Sequence, residues 1–341
     1  MLDQGGGVSF NKPNFFIFTG GPGAGKTSVL DELSAMGYQA VEEVARKIIK
    51  EQNQTGGNAT HDGDQQAFCE LMLAAAVQDY KDLIESSRVF FFDRGVPGLA
   101  GYSTMTAGQV SAAVQEASSQ YRYNPIVFCF PPWEEIYQND AERQQDFAEA
   151  VRTYRVLKQA HEDLGYVTVE VPKVSVAERV QFILSYVENA MRIKNIRKYQ
   201  GERLTSEASF SGCLILTHDN RILLQKRGEN WSSFPGCLSA FGGQIEGNEA
   251  PIDAMIRELH EELGAQVNAE ELVLLGAITE FITEHQEVVH EFFWHDKHNT
   301  ITGCYEGEAE HFDSIGSLLS TAKLMDDVVW MAVLSKQLSL W

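Results

Sequence analysis

Residues 243–265 read GQIEGNEAPIDAMIRELHEELGA, a glycine-rich turn followed by a strongly acidic segment. They match the pattern G-x5-E-x7-R-E-U-x-E-E-x-G-U, in which U is a bulky aliphatic residue, at every fixed position: Gly243, Glu249, Arg257, Glu258, Glu261, Glu262 and Gly264. Only the last U departs from the pattern, because Ala265 is small. Seven fixed positions within one window of 23 residues are hard to satisfy by chance.

The acidic segment predicts an amphipathic helix. Asn248 suits a helix N-cap, and Pro251 suits the first turn. Glu258, Glu261 and Glu262 are spaced i, i+3 and i+4, so we expect their side chains to share one face. Apolar residues recur at steps of three and four and predict a separate, core-facing stripe: Ile252, Met255, Leu259 and Leu263.

The three glutamates indicate a metal site. Carboxylates on one helix face repel each other unless a cation neutralises them. Ligands that offer only oxygen favour Mg²⁺ or Mn²⁺ rather than zinc. Such a metal polarises a phosphoryl oxygen and lowers the pKa of a bound water. Glu258, Glu261 and Glu262 are therefore candidate metal ligands for a reaction on phosphate groups.

This pattern is the Nudix box, and the C-terminal part of the chain resembles the Nudix hydrolases. The resemblance implies hydrolysis of a diphosphate bond in a nucleoside diphosphate linked to a group X. It implies that Glu258 and Glu261 are catalytic and that Arg257 orients a glutamate. It also implies that the backbone carbonyl of Gly242 binds the metal. The segment YEGE, which ends at Glu308, resembles a strand-end segment of the MutT-like group and adds Glu308 as a candidate metal ligand.

The rest of the C-terminal part agrees with the α/β/α sandwich that this resemblance implies. It carries strand patterns followed by one helical pattern: 213–216, 221–225, 272–282, 287–294 and 326–337. The marks that separate Nudix subfamilies are missing, because no proline follows Pro251 and the NADH pyrophosphatase motif is absent. The sequence therefore leaves group X open.

A second motif lies near the start of the chain. Residues 15–19 (FFIFT) predict a buried strand and run into GGPGAGKTS. This satisfies the P-loop pattern G-x-x-x-x-G-K-[ST], whose backbone N–H groups wrap phosphate oxygens. We expect Lys26 to reach the β- and γ-phosphates and the Thr27 hydroxyl to bind Mg²⁺. The residues predicted to bind ATP or GTP are Gly20, Gly23, Gly25, Lys26, Thr27 and Ser28.

Strand and helix patterns alternate after the P-loop. Strand patterns lie at 89–92, 126–130 and 166–171, and helical patterns lie at 65–86 and 141–164. This alternation predicts an α/β fold, with a parallel sheet and helices on both of its faces. The N-terminal part is therefore predicted to have a P-loop NTPase fold.

A polar, locally basic segment separates the two parts. Residues 195–208 (NIRKYQGERLTSEA) break the apolar periodicity. We predict a P-loop domain at 1–198, a linker at 199–208 and a Nudix domain at 209–341. The length of 341 residues suits two domains.

Two polar residues follow the strand pattern at 89–92. Asp93 and Arg94 are predicted to lie at the carboxyl edge of the sheet, where α/β sheets bind ligands. Asp93 is a candidate to hold Mg²⁺ through water or to accept a proton from a substrate hydroxyl. Arg94 is a candidate to bind a phosphate bidentately. An exposed loop with a surface ion pair is the alternative.

Four segments, GGPGAGKTS, VEEVARKII, FFFDRGVPG and FPPWEEIYQNDAERQQDFAEA, resemble the NadR-like AAA family of small P-loop proteins. The resemblance covers roughly residues 14–192 and implies a substrate-side segment that contains Glu43 and Arg46. It also implies a lid-like segment in which Arg143, with Arg152 as a second candidate, stabilises charge on a transferred phosphoryl group. The family includes nucleoside kinases and switches, so a kinase, an NTPase and a switch all stay open.

Composition limits the classes of partner. A net charge of −21 argues against a broad surface for nucleic acid or anionic membranes. No apolar run approaches the length of about 18 residues that a membrane span needs, and the first residues lack a signal-peptide pattern. Five cysteines without C-x-x-C pairing are typical of reduced thiols and of a cytoplasmic protein. The oligomeric state is not indicated.

These patterns predict a bifunctional, cytoplasmic enzyme of nucleotide metabolism. One domain handles a nucleoside triphosphate, and we expect it to transfer phosphate to a nucleoside or nucleotide. The other hydrolyses a nucleoside diphosphate derivative with Mg²⁺ or Mn²⁺. The alternative is a P-loop switch or sensor whose Nudix domain binds a nucleotide for regulation. The complete set of Glu258, Glu261 and Glu262 favours the enzyme, because a binding module does not need it.

Overall fold

The computed structural model of the chain describes residues 12–137, 147–206 and 208–341. Contacts divide the chain into two compact units, Met1–Leu184 and Ser185–Trp341. None of the helices in the described ranges is both long and apolar enough to cross a membrane.

The described part of the first unit is built on a parallel sheet with the strand order β2-β3-β1-β4-β5. Its strands are β1 (Phe15–Gly20), β2 (Gln39–Val41), β3 (Phe90–Asp93), β4 (Ile126–Phe130) and β5 (Val167–Glu170). All residues of the central strand β1 are buried. A strand covered on both faces needs apolar side chains on both, which explains the continuous run FFIFT.

Helices connect the strands of the first unit and cover both faces of the sheet. They are α1 (Lys26–Ala35), α2 (Val44–Thr55), α3 (Gln65–Leu83), α4 (Gly95–Ala107), α5 (Ala112–Gln120), α6 (Phe147–Asp163) and the first part of α7 (Val176–Ala190), which continues past Leu184. Phe15 packs edge-on against Tyr80 of α3 on one face. Phe18 packs against Phe91 and Phe130 on the other face, because successive side chains of a strand alternate. The predicted α/β fold is confirmed.

Two strands of this sheet deliver polar residues to one edge. Phe18 of β1 is in register with Asp93, the last residue of β3. The P-loop leaves β1 at Gly20, and α1 begins at Lys26 directly after Gly25, whose φ of 81° is left-handed. Parallel strands end at the same edge, so Lys26 and Asp93 converge there.

The second unit contains a mixed sheet with the strand order β13-β8-β7-β12-β11-β6, in which β10 also pairs with β7 and β9 with β8. The strands are β6 (Ile196–Lys198), β7 (Ser209–Leu216), β8 (Ile222–Lys226), β9 (Leu238–Ser239), β10 (Phe241–Gln244), β11 (Leu272–Glu280), β12 (Val288–His295) and β13 (Glu308–Phe312). Strands β7 and β12 pair in parallel. The strand patterns predicted for this part are therefore present.

Helices lie on both faces of the second sheet and complete a sandwich. They are α8 (Pro251–Leu263), α9 (Ile315–Leu319) and α10 (Asp326–Gln337). Met255 and Leu259 of α8 are buried in a core cluster that includes Trp294 of β12. Glu291 of β12 points to the opposite face, where the negative charge of Asp327 of α10 helps to raise its pKa. The predicted apolar stripe of α8 therefore faces the core.

Residues 185–198, which the sequence places in the first domain, belong to the second unit. Strand β6 pairs antiparallel with β11. The buried Asn189 side chain donates hydrogen bonds of 2.7 Å to the backbone carbonyls of Leu319 and Thr321. These contacts join residues far apart in sequence, so no local pattern reveals them. The linker at 199–208 stays a prediction.

Replacing Asn189 should destabilise the second unit. Asn189→Ala leaves the carbonyls of Leu319 and Thr321 without their donor, and we expect the free energy of unfolding to fall by about 1–3 kcal/mol. Hydrogen exchange of the β11 and α10 amides in the full chain measures this fall. Asn53→Ala, a matched change at an exposed position of α2, should leave exchange unchanged. Equal protection in both variants would contradict the packing of residues 185–198 on this unit.

Candidate active site

Helix α8 carries the carboxylates of the acidic segment. It begins at Pro251 and ends at Leu263, and Gly264 follows in a left-handed conformation with a φ of 61°. The N-cap residue is Ala250 and not Asn248, and no side chain caps the helix. Pro251 supplies the start instead, because its fixed φ suits the first turn and its missing N–H would be unpaired there anyway.

Arg257 binds four acceptors from the strand, the turn and the helix. Its Nη1 lies 2.7 Å from Glu258 Oε1 and 3.2 Å from Glu261 Oε2. Its Nη2 lies 2.7 Å from Glu249 Oε1 and donates at 3.0 Å to the carbonyl of Gln244. Hydrogen bonding to Glu249 is the largest cause that raises the pKa of the guanidinium. This position is compatible with the orienting role that the sequence predicts for Arg257.

Glu262 is buried and held by two donors. Its carboxylate accepts hydrogen bonds from Gln225 Nε2 at 2.7 Å and from the backbone N–H of Gly242 at 2.8 Å. Burial raises the pKa of Glu262 to about 8. Gln225 lies on β8, 37 residues before Glu262, and no motif in the sequence marks it. The predicted metal residues Gly242 and Glu262 are therefore neighbours in space.

Two glycines allow strand β10 to approach its neighbours closely. Gly242 has a φ of 142°, and a Cβ there would collide with the carbonyl oxygen of Ser211. A Cβ at Gly243 would lie 2.5 Å from Glu258 Oε1. Glycine is therefore required at 242, and a side chain at the fixed position Gly243 would displace the carboxylate of Glu258.

The carboxylates of α8 are the type of donor that a hard divalent cation prefers. Glu258, Glu261 and Glu262 offer only oxygen atoms. Burial, followed by the charge of neighbouring carboxylates that include Glu306, raises the pKa of both Glu258 and Glu262. A cation would relieve this repulsion. Within the described ranges, no three His, Cys, Asp or Glu side chains are grouped so that they would hold a metal. Arg257 instead holds Glu258 and Glu261.

Glu308 lies outside this group of contacts. It begins β13, is exposed, and has its Oε2 3.7 Å from Lys226 Nζ. The negative charge of Glu306, which the sequence did not single out, helps to raise the pKa of Glu258 and of Glu262. The role of Glu308 as a metal ligand stays a prediction.

The glycines of the P-loop adopt conformations that other residues rarely reach. Gly23 and Gly25 have φ values of 71° and 81°. Gly20 has a φ of 146°, and a Cβ there would lie 2.5 Å from the carbonyl oxygen of Phe130. Left-handed glycines turn successive backbone N–H groups in one direction, which is the geometry of an anion-binding loop.

Lys26 meets Asp93 at the end of this loop. Both side chains are buried, and Lys26 Nζ lies 3.7 Å from Asp93 Oδ1. Burial lowers the pKa of Lys26 and raises that of Asp93, and the charge of each group opposes the shift of the other. Thr27 and Ser28 follow in the first turn of α1 and are exposed. The structure therefore places Lys26 beside Asp93, and the roles of the P-loop residues and of Asp93 in binding a triphosphate stay predictions.

The guanidinium of Arg94 forms an ion pair with Glu43, so one of its donors is already engaged within the protein. Its Nε lies 2.5 Å from Glu43 Oε1, and Arg46 Nε lies 3.8 Å from Glu43 Oε2. Arg94 has a φ of 81° and a ψ of −52° at the start of α4. A non-glycine residue in such a conformation carries about 1–3 kcal/mol of strain, which is common at functional sites. Glu43, Asp93 and Arg94 thus form one group beside Lys26. The phosphate-binding role of Arg94 stays a prediction.

The two arginines proposed for a lid cannot both be placed. Arg143 lies outside the described residues, so its role stays a prediction. Arg152 lies on α6, where its side chain is exposed and pairs with Glu149 of the same helix.

Comparisons with known proteins match each half of the chain to a family. Residues 15–179 match the family described as AAA domain. Residues 208–331 match the family described as NUDIX domain. The chain is a fusion of an AAA domain and a NUDIX domain. The match at 15–179 does not distinguish the NadR-like members, so that narrower resemblance stays a prediction.

Relatives of the NUDIX domain include proteins with sequences or structures similar to it. CTP pyrophosphohydrolase from Escherichia coli (strain K12) is 31% identical over 94 residues, which cover 26% of this chain and 62% of that relative. The chain therefore spans less than two thirds of this relative's length. A MutT protein from Methanosarcina mazei Go1 has 19% identity and a TM-score of 0.32 over 39% of this chain and 93% of its own. A mutT/nudix family protein from Listeria innocua has 20% identity and a TM-score of 0.32 over 40% and 94%.

The NUDIX domain also contains a cluster of buried acids. Glu280 ends β11, Glu291 lies on β12, and Asp327 is the second residue of α10. Both carboxylate oxygens of Glu291 and Oε1 of Glu280 have no hydrogen-bond partner among the described residues. Burial, followed by mutual repulsion, raises the pKa of Glu280 to about 9, and burial raises that of Asp327 to about 6. Burial also raises the pKa of Glu291 well above its ordinary value.

This cluster should make the stability of the NUDIX domain depend on pH. Glu280 ionises near pH 4.5 when unperturbed and near pH 9 in the folded domain. The folded state binds more protons within that window, so the free energy of unfolding falls as the pH rises. Glu280→Gln removes this titration, and we expect a shallower fall in melting temperature between about pH 5 and pH 9. Glu270→Gln, at an exposed site, is the control. Parallel curves for the wild type and Glu280→Gln would refute the assignment.

Proposed function

We propose that this chain is an enzyme of nucleotide metabolism with two reaction sites. The NUDIX domain hydrolyses a diphosphate bond in a nucleoside diphosphate derivative, using Mg²⁺ or Mn²⁺. The AAA domain binds ATP or GTP and transfers a phosphoryl group to the hydroxyl of a nucleoside or nucleotide. The observation that carries the proposal is the set of contacts around Arg257, which joins the glycine-rich strand to the carboxylates of α8.

The residues proposed to hold the divalent ion are Glu258, Glu261, Glu262 and the backbone carbonyl of Gly242. When bound, such an ion polarises a phosphoryl oxygen and lowers the pKa of a coordinated water. The match to the NUDIX family supports this proposal, because a polarised phosphoryl oxygen and an activated water are what hydrolysis of a diphosphate bond needs. The Escherichia coli relative, CTP pyrophosphohydrolase, is named for a reaction of the same class.

The protein's own groups position the carboxylates. Arg257 donates to Glu258 and Glu261 and so fixes the direction of their oxygen atoms. Gln225 donates to one oxygen of Glu262, and the Gly242 N–H donates to the other. Carboxylates held in this way lose little conformational freedom when a ligand arrives, so the site is pre-organised.

Substitutions on α8 test the NUDIX half of the proposal. Glu262→Gln removes one charge, but the new amide cannot accept from both Gln225 and Gly242, so local packing also changes. Glu261→Gln avoids this problem, because Glu261 is exposed and accepts only from Arg257 among the contacts described. We expect both variants to lower kcat by about 100-fold or more at saturating Mg²⁺, as loss of a charged transition-state contact does. The assay follows products of a panel of nucleoside diphosphate derivatives by mass.

The controls separate a lost reaction from a lost fold. Glu270→Gln, an equal charge change at an exposed site, should keep full activity. Melting temperatures of Glu261→Gln and wild type should agree. Undiminished hydrolysis by Glu261→Gln and Glu262→Gln would eliminate α8 as the reaction site.

The AAA half rests on the group formed by Lys26, Asp93 and Glu43. In the proposed transfer, the acceptor hydroxyl oxygen forms a bond to the γ-phosphorus as the bond to the β–γ bridging oxygen breaks. The nucleoside diphosphate leaves, and the hydroxyl proton passes to a carboxylate, for which Asp93 and Glu43 are the candidates. Arg94, held by Glu43, adds positive charge beside them.

Two variants test this half independently of the NUDIX domain. Lys26→Met should weaken triphosphate binding by about 10-fold or more, because it removes a charged phosphate contact. Asp93→Asn should keep triphosphate binding and lower phosphoryl transfer, since the amide cannot take the proton. Calorimetry measures the first effect, and transfer from labelled ATP or GTP to a nucleoside panel measures the second. Diphosphate hydrolysis by the NUDIX domain should be unchanged in both variants.

A switch or sensor is the competing proposal for the AAA domain. Hydrolysis of the triphosphate without transfer to any nucleoside or nucleotide of the panel would favour that competitor. Transfer that survives Asp93→Asn would leave Glu43 as the candidate base.

A further inference from the structure

One buried arginine beside the P-loop has no acidic partner among the described residues. Arg179 lies in the first turn of α7, within the AAA domain, and is only 5% exposed. Its Nη1 lies 3.4 Å from the carbonyl oxygen of Ala24, and its Nε makes no hydrogen bond within the described part of the chain. Burial lowers the pKa of the guanidinium.

The surroundings of Arg179 are the P-loop and an aromatic ring. A Cβ at Gly25 would lie 2.6 Å from its Nη1, so the guanidinium touches the last glycine of the loop. The ring of Trp133 lies 5.5 Å from the guanidinium carbon, within the range of a cation–π contact. Trp133 compensates the positive charge only in part, because such a contact is weaker than an ion pair.

The other two buried cations at this edge of the sheet differ from Arg179. Lys26 faces Asp93, and Arg94 faces Glu43. Among the described residues, Arg179 alone of these three cations lacks a carboxylate within 4 Å. Burying a charge without a counter-charge is unfavourable, so an anion that bound beside Arg179 would stabilise it.

We propose that Arg179 is an additional phosphate-binding residue of the P-loop site and donates to the polyphosphate of a bound nucleoside triphosphate. The proposal rests on the triphosphate binding proposed above and deepens it by a residue that the P-loop pattern does not contain. A guanidinium suits this task, because its planar fork of N–H donors matches two phosphate oxygens. Its contact with Gly25 places it at the loop that wraps the phosphates.

Binding measurements on the full chain test this assignment. Arg179→Gln should weaken non-hydrolysable ATP or GTP analogues and inorganic tripolyphosphate by about 10-fold to 100-fold, the effect of one charged hydrogen-bonding contact. Arg179→Lys keeps the charge but not the fork, so its loss should be smaller. Arg155→Gln makes the same charge change on the exposed side of α6 and should bind as wild type does.

Melting temperatures without nucleotide distinguish phosphate binding from a structural brace. Removing an uncompensated buried charge should leave the melting temperature of Arg179→Gln equal to that of wild type or higher. A lower melting temperature in Arg179→Gln and Arg179→Lys, with affinities that fall equally for a nucleoside and for tripolyphosphate, would show a brace and overturn the proposal.

The remaining outcomes are equally decisive. Unchanged tripolyphosphate binding with weakened nucleotide binding would place Arg179 at the base or ribose and overturn the phosphate assignment. Wild-type affinity of Arg179→Gln for every ligand would overturn it alone, with the proposed function intact. If wild type bound neither the analogues nor tripolyphosphate, both the proposed triphosphate site and the role of Arg179 would be overturned.

Discussion

The candidate hydrolase site depends on the hydrogen bonds and ion pairs that the guanidinium of Arg257 makes. It binds the carbonyl of Gln244 in the glycine-rich strand, Glu249 in the turn and Glu258 on the helix. A planar fork of donors fixes the directions of its acceptors, so strand, turn and helix take one arrangement relative to each other. A lysine at this position would carry the charge but would not hold three segments in register. This geometry explains the spacing of Gly243, Glu249 and Arg257 in the sequence pattern.

The parts of the structure that the sequence predicts well are those decided by near neighbours. The continuous apolar run before the P-loop predicts a buried central strand, because a strand covered on both faces cannot alternate. Met255 and Leu259 face the core because a helical period of 3.6 residues places them on one stripe. The strand–loop–helix order around Lys26 follows from glycines that reach left-handed conformations.

Other features could not be predicted, because they depend on partners far along the chain. Gln225 and Glu262 are 37 residues apart, and Glu43 and Arg94 are 51 apart. No hydrophobic period, helix cap or turn signal connects such pairs, so only the folded structure shows that Glu43 forms an ion pair with Arg94. The same reasoning applies to Asn189, whose partners lie more than a hundred residues further on. The predicted cap at Asn248 failed for a local reason, since Pro251 starts the helix without one.

In each candidate site, charged side chains are compensated by partners within the protein. The carboxylates of α8 are compensated by Arg257 and by backbone and amide donors, and Lys26 is compensated by Asp93. Buried charges need partners, so a ligand that binds one of these compensated groups replaces an internal partner. Affinity then depends on the difference between two pairings, which favours ligands of the correct charge and geometry.

This balance also bears on how the chain selects anionic substrates. A net charge of −21 disfavours the approach of anions to the chain as a whole. Positive groups concentrated at the P-loop, such as Lys26 and Arg179, therefore provide a local attraction that the rest of the chain does not offer. On the acidic helix, a divalent ion held by carboxylates would play the same part for a diphosphate. Under the proposed function, both sites would therefore attract phosphate groups more strongly than the rest of the chain does.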